Sequence, residues 1–190
     1  MVNIPAWRRW GASNRMALSD LDLALPDASA TEALGVSLAR TFPGAEEASA
    51  ALYLEGDLGA GKTTCVRAFL RACGVSGLIR SPTYTLVETY RLDGHTPPLT
   101  CVHVDLYRLE GAGQVDELGL RDFLRAGHLL LVEWPQKGAG SLPSPDLEIS
   151  FEFAASGRHA RLHAGTVRGR AWARDLRDDT RLASYLSNLT

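Results

Sequence analysis

The chain has 190 residues, 45% hydrophobic and 22% charged, enough to bury one sizeable core, so one globular domain is the expectation. Lys and Arg number 20 against 22 Asp and Glu, a net charge of −2, which argues against a protein whose whole surface grips nucleic acid. Cys65, Cys73 and Cys101 form no close pair with metal spacing and no disulfide framework, which points to a reducing cytoplasm, and no apolar run approaches the ~18 residues needed to cross a bilayer.

Residues 1–16, "MVNIPAWRRWGASNRM", carry basic residues but no apolar stretch after them, so no export signal is read. Trp7, Arg8, Arg9 and Trp10 share no period with the residues after them, and residues 1–20 read as a flexible extension, with Met16 an alternative start. An aromatic and basic arm that touches RNA is the competing reading. "LDLAL" (21–25) then reads as a strand, and residues 29–41 as a helix with Leu34, Leu38 and Phe42 on its apolar face. "AALYLE" (50–55) is a near-continuous apolar run of the kind found in a strand covered on both sides. A glycine-rich loop comes next, and after it Val66, Phe69, Leu70 and Cys73 fall at helical spacing before Gly74, a helix-ending residue. Residues 83–92 and 101–109 alternate like strands, 115–124 read as a short helix, and 128–134 as a buried strand. Residues 147–153 and 159–164 suggest a hairpin about "AASGR", and Trp172, Leu176, Ala183 and Leu186 a C-terminal helix within 168–190. Loops are expected at 93–98 and 136–146. The class is α/β, with residues 21–167 forming a single domain.

The loop reads Gly56, Asp57, Leu58, Gly59, Ala60, Gly61, Lys62, Thr63, Thr64. Such a turn lets backbone N–H groups converge on phosphate oxygens at a helix start, where the helix dipole favours negative charge. In this phosphate-loop pattern Lys62 reaches the β- and γ-phosphates and the Thr63 hydroxyl ligates Mg²⁺; Thr64 fits either the site or an ordinary first helical turn. A carboxylate is needed near the metal, at the carboxyl end of a neighbouring strand. Asp105, in "CVHVDLYRL", shares a face with His103 and Tyr107, and Glu133 ends the apolar run "HLLLV". Each fits a metal ligand or a structural ion pair. His103 fits a structural histidine or a catalytic base. Trp134 fits a nucleotide base or the sheet surface as its packing partner. The Asn-Lys-x-Asp guanine-reading motif is absent, which favours ATP over GTP, and Arg121 and Arg125 have no evident acceptor site beside them.

"GDLGAGKTT", "SPTYTLVETY", "HVDLYRL", "ELGLRDFL", "LVEWPQKG" and "LPSPDLEI" stand in the order and spacing of the bacterial tRNA threonylcarbamoyladenosine biosynthesis ATPases, the TsaE family. The chain resembles that family from about residue 21 to 163. The resemblance implies a phosphate-loop ATPase with a mixed β-sheet flanked by helices, which binds ATP and Mg²⁺. It implies two partners, a carbamoyl-transferase subunit and its paralogue, and a role in modifying adenosine 37 of tRNAs that read codons starting with A. Contact with tRNA would run through the partners, with no membrane involved. Carried onto this chain, the resemblance makes residues 56–64 the phosphate loop, Thr63 and Glu133 the Mg²⁺ ligands, and Asp105 the strand carboxylate. It makes Ser81, Pro82 and Thr83 part of a nucleotide-sensing switch, and Asp27 and Arg158 positions that reach the nucleotide. From the residues alone, Asp27 equally fits a helix cap and Arg158 a solvated turn. A small-molecule kinase and an ATP-dependent scaffold are the alternative functions.

Overall fold

The protein, seen in a computed structural model, is described over residues 20–111 and 113–187. The reading of residues 1–16 as an arm with an alternative start falls outside that range. Seven strands, β1 (Leu21–Leu25), β2 (Ala50–Gly56), β3 (Val87–Leu92), β4 (Leu99–Asp105), β5 (His128–Glu133), β6 (Leu147–Phe153) and β7 (Arg158–Ala164), form one mixed sheet in the order β1-β7-β6-β2-β5-β4-β3. The middle run β4-β5-β2-β6 is parallel; β3 and β7 pair antiparallel at its two ends, and β1 pairs antiparallel with β7. Parallel strands all end on the same edge, so Gly56, Asp105 and Glu133 are brought to one side of the molecule; Asp105 and Glu133 are register partners.

Helices α1 (Ala28–Arg40), α2 (Lys62–Ala72) and α4 (Val167–Arg177) contribute to the larger core. Asp27 starts α1, its Oδ1 accepting from the Ala30 N–H at 2.8 Å. The opposite face of β2, β5 and β4 carries Ala51, Tyr53, Val102, Val104, Leu130 and Val132, covered by Leu106, Leu109 and the short helix α3 (Gly113–Glu117). With both faces covered, β2 and β5 carry continuous apolar runs, Ala50–Leu54 and Leu129–Val132, rather than alternating. In β6 and β7 alternation returns: Leu147, Ile149, Phe151, Ala160 and Leu162 face the core, while Glu152, His159 and Arg161 face solvent. Among the described residues no helix is long and apolar enough to cross a membrane. The three cysteines are free and buried.

Four elements differ from expectation, the strand expected over 101–109 being one, since it runs Leu99–Asp105. The strand expected from Thr83 begins only at Val87, because Ser81 and Thr83 use their hydroxyls on each other and on Asp105, and Leu86 turns at φ 64°. The helix expected over 115–124 breaks at Gly119 (φ 65°) into α3 and a 3₁₀ turn, Leu120–Phe123. The C-terminal helix starts at Val167, capped by Thr166, and stops at Arg177. Asp178 and Asp179 oppose its negative end, and Asp179 Oδ1 instead accepts from the Arg181 N–H. Beyond it Ala183 is exposed, Leu182 is the buried residue, and Leu186 bridges to Leu23.

Helix α4 belongs to the core. Trp172 is wholly buried, its ring 5.0 Å from Phe42 and its Nε1 donating to the Leu38 carbonyl at 3.0 Å. Trp172→Ala is expected to cost about 3–5 kcal/mol in denaturant unfolding, through lost apolar burial and the cavity left behind. A loss below about 0.5 kcal/mol, the range of surface substitutions, would mean that α4 merely trails the domain.

Candidate functional site

The loop after β2 is fixed by backbone geometry before any side chain acts. Gly56 lies at φ 134°, and a Cβ there would stand 2.4 Å from the Phe151 carbonyl of β6. Gly61, at φ 112°, turns the chain into α2. That turn begins α2, whose first-turn amides have no acceptor within the helix.

Around this edge lies a cavity of about 260 Å³ lined by Leu58, Gly59, Gly61, Lys62, Thr63, Thr64, Ser81, Thr83, Asp105, Tyr107, Glu133 and Trp134. Lys62, only 4% exposed, donates from Nζ to the Gly56 and Asp57 carbonyls at 2.7 and 2.8 Å and stands 4.0 Å over the Trp134 ring. Burial lowers its pKa, opposed by the charges of Glu133, Asp105 and Asp57. Glu133 is 1% exposed; its Oε2 accepts from the Thr63 hydroxyl at 2.7 Å, and its Oε1 is 2.9 Å from His103 Nε2. Asp105, at 3%, accepts from the Thr83 hydroxyl at 2.8 Å and from the Tyr107 N–H at 2.9 Å. Trp134 turns at φ 60° and brings its ring 5.0 Å from Tyr107.

The structure thus brings Leu58, Gly59, Gly61, Lys62, Thr63, Thr64, Thr83, Asp105, Glu133 and Trp134 to one cavity. Gly56 and Asp57 serve it through their carbonyls, and Ala60 is buried beneath the loop. Asp27 and Arg158 do not line it. The Asp27 carboxylate caps α1, and Arg158 Nη1 donates to Thr31 Oγ1 at 3.1 Å while its stem packs behind Gly61. Ser81, expected in the nucleotide-sensing segment, lines the cavity too, and so does Tyr107, which the motifs do not mark as a binding residue. Tyr107 is brought there because the chain leaves β4 at Asp105 and turns; its signal in the sequence is its place in "HVDLYRL", two residues after Asp105.

The family model described as "Threonylcarbamoyl adenosine biosynthesis protein TsaE" matches residues 25–161. The chain belongs to the TsaE family. It is 40% identical over 119 residues to the tRNA threonylcarbamoyladenosine biosynthesis protein TsaE of Haemophilus influenzae, covering 63% of this chain and 73% of that one. The TsaE of Rickettsia bellii is 37% identical over 118 residues, covering 62% and 78%. The crystal structure of Bacillus subtilis YdiB superposes with a TM-score of 0.68 at 27% identity, over 86% of this chain and 97% of that one. The fold is accordingly the phosphate-loop NTPase type, and the family's role lies in tRNA threonylcarbamoyladenosine biosynthesis.

Beside the loop, Glu55 immediately precedes Gly56, and its carboxyl is close enough to Glu148 of β6 to feel that residue's charge. Burial, and then the Glu148 charge, pushes Glu55 up to about 7; burial also raises Glu148, opposed by His163. Carboxyls raised in the folded state hold extra protons there, so their contribution to stability is complete at low pH and is lost as pH rises toward about 7. Glu148→Gln, which keeps a partner for Glu55 and removes the charge, is expected to raise the melting temperature more at pH 8 than at pH 5. Equal shifts at both values would show that the two carboxyls are not coupled.

Proposed function

We propose that this TsaE-family chain is a Mg²⁺-dependent ATPase whose nucleotide state sets its grip on a carbamoyl-transferase subunit and that subunit's paralogue. In this reading it serves threonylcarbamoyl modification of adenosine 37 in tRNAs that read codons starting with A, acts in the cytoplasm, and meets tRNA through its partners. The observation that carries the reading is the meeting of Lys62, Thr63, Asp105 and Glu133 in one cavity at the start of α2. Asp27 and Arg158 stay in the reading as residues that reach the nucleotide from outside this cavity, Arg158 with its stem behind Gly61.

Lys62 and the first-turn amides of α2 bind the phosphate oxygens, and Trp134, already under the Lys62 ammonium, bounds the cavity beside them. The donors Thr63, Glu133 and Asp105 are all oxygens, which suits a hard cation. Among the described residues no cluster of three or more His, Cys, Asp or Glu forms an all-protein cage, as befits Mg²⁺, which uses one or two carboxylates with phosphate and water. Thr63 and Glu133 would hold Mg²⁺, and its charge would be supplied to the β- and γ-phosphates. Asp105 orients the attacking water or the metal's water shell. Thr83, bonded to Asp105, makes the 81–86 segment the sensor, and Leu86 at φ 64° gives that segment a strained point at which to rearrange.

Lys62→Ala is expected to abolish hydrolysis and weaken ATP binding by about ten- to a hundredfold, the loss of a charge-assisted hydrogen bond worth about 1.5–3 kcal/mol. Glu133→Ala should lose Mg²⁺-dependent activity, and Asp105→Ala should chiefly lower kcat. Release of labelled free phosphate checks all three. A labelled small molecule would favour a kinase, and neither product a scaffold that binds ATP without turning it over.

A switch must bind its partners with different free energies in its two states. Calorimetry with the purified partner pair is expected to give a different Kd with an ATP analogue than with ADP. Identical constants, or no binding in either state, would remove the switch.

A further inference from the structure

We propose that His103 is a positioning residue for Glu133, holding one carboxylate oxygen so that the other stays aimed at Thr63 and the cavity. The proposal rests on the reading of Glu133 as a Mg²⁺ ligand. His103 lies on β4 opposite Leu131, two residues before Glu133 along β5, and both side chains leave the sheet on the same face. That face is the apolar one under α2, where Cys65, Phe69, Cys101 and Leu131 are buried. His103 is wholly buried there, and its Nε2 stands 2.9 Å from Glu133 Oε1. Its Nδ1 has no hydrogen-bond partner among the described residues.

A packing residue at this position would be apolar, since a buried imidazole with one nitrogen unpartnered is costly to accommodate. The one directed contact that offsets the cost is the bond to Glu133. A carboxylate oxygen accepts, so Nε2 is a nitrogen that carries a proton. Two donors then divide the carboxylate. The Thr63 hydroxyl holds Oε2 from the cavity side, and His103 holds Oε1 from the core side. When Thr63 turns to a metal, His103 is the contact that keeps Glu133 from rotating away. Such supporting hydrogen bonds behind a ligand commonly govern metal affinity.

The test is calorimetric binding of a non-hydrolysable ATP analogue to the full chain, with Mg²⁺ and with chelator. In chelator, wild type, His103→Leu and His103→Gln should bind alike. With Mg²⁺, the gain in affinity seen for wild type should shrink about ten- to a hundredfold in His103→Leu. His103→Gln, whose amide N–H reaches where Nε2 did, should keep most of it. A wild-type gain in folded His103→Leu overturns the proposal. Retention of the full gain by Glu133→Ala instead removes the metal reading of Glu133, and the proposal with it. Should the Leu variant fail to fold, ¹⁵N chemical shifts of the nucleotide-free wild type decide: an Nε2-protonated His103 ring is expected, and a neutral ring protonated at Nδ1 overturns it.

Discussion

Two carboxylates buried side by side at the ends of β4 and β5 set the terms for the rest of the structure. Asp105 and Glu133 are register partners, at 3% and 1% exposure, and an uncompensated buried charge would cost several kcal/mol. Each neighbour can be understood as compensation. Thr63 and His103 take the two oxygens of Glu133; Thr83 and the Tyr107 N–H take those of Asp105. Lys62 is buried close enough that both charges oppose the lowering of its pKa. The cavity is therefore a balanced set in which removing one member exposes the cost of another, and the phosphate–metal ligand of the proposed function would have to exchange with these bonds rather than add to them.

The fold is most legible in the sequence where chemistry and periodicity coincide. A continuous apolar run, four glycine-loop positions and a helical period make strand, loop and helix readable together around Lys62. Asp105 and Glu133 stand out because a carboxylate on an apolar strand demands a partner. Their partners are not legible. Thr63 and Glu133 are 70 residues apart and Thr83 and Asp105 are 22 apart, so these pairs exist only through the strand order. The same holds for His103, whose two readings as a core residue or a base stay open until its ring is placed against Glu133. Element ends differ for local reasons: hydroxyls at Ser81 and Thr83 outcompete a ladder, Gly119 splits a helix, and two aspartates stop α4 where apolar spacing alone continues.

The family match ends at residue 161, yet the core does not. Leu162, Ala164, Trp172, Ala173, Leu176 and Leu182 lie buried in the same cluster as α1 and α2, and Leu186 bridges to Leu23 on β1. Asp146 ties this end down. Its carboxylate accepts from the Ala51 N–H at the start of β2, from Arg168 of α4, and from the Thr166 hydroxyl that caps α4. The strand that carries the glycine loop is thus anchored at its far end by the C-terminal helix. A segment outside the family match consequently contributes to the rigidity on which the loop geometry depends.

Two non-glycine residues at positive φ, Leu86 and Trp134, flank the carboxylate pair. Leu86 O accepts from the Asp105 N–H at 3.0 Å, and the Trp134 N–H donates to Leu54 O at 3.1 Å, one residue from Glu133. Strained backbone persists only where surrounding contacts determine it. At Leu86 those contacts are the Pro82 carbonyl, which accepts its N–H, and the Thr83 hydroxyl bond to Asp105. At Trp134 they include Tyr107 and the Lys62 ammonium over its ring. Both Lys62 and Thr83 line the cavity, within reach of the charge of any phosphate it holds. On the proposed reading, moving either would relax a constraint on one strained turn, and the 81–86 segment and the Trp134 turn would be the parts of the sheet edge to change.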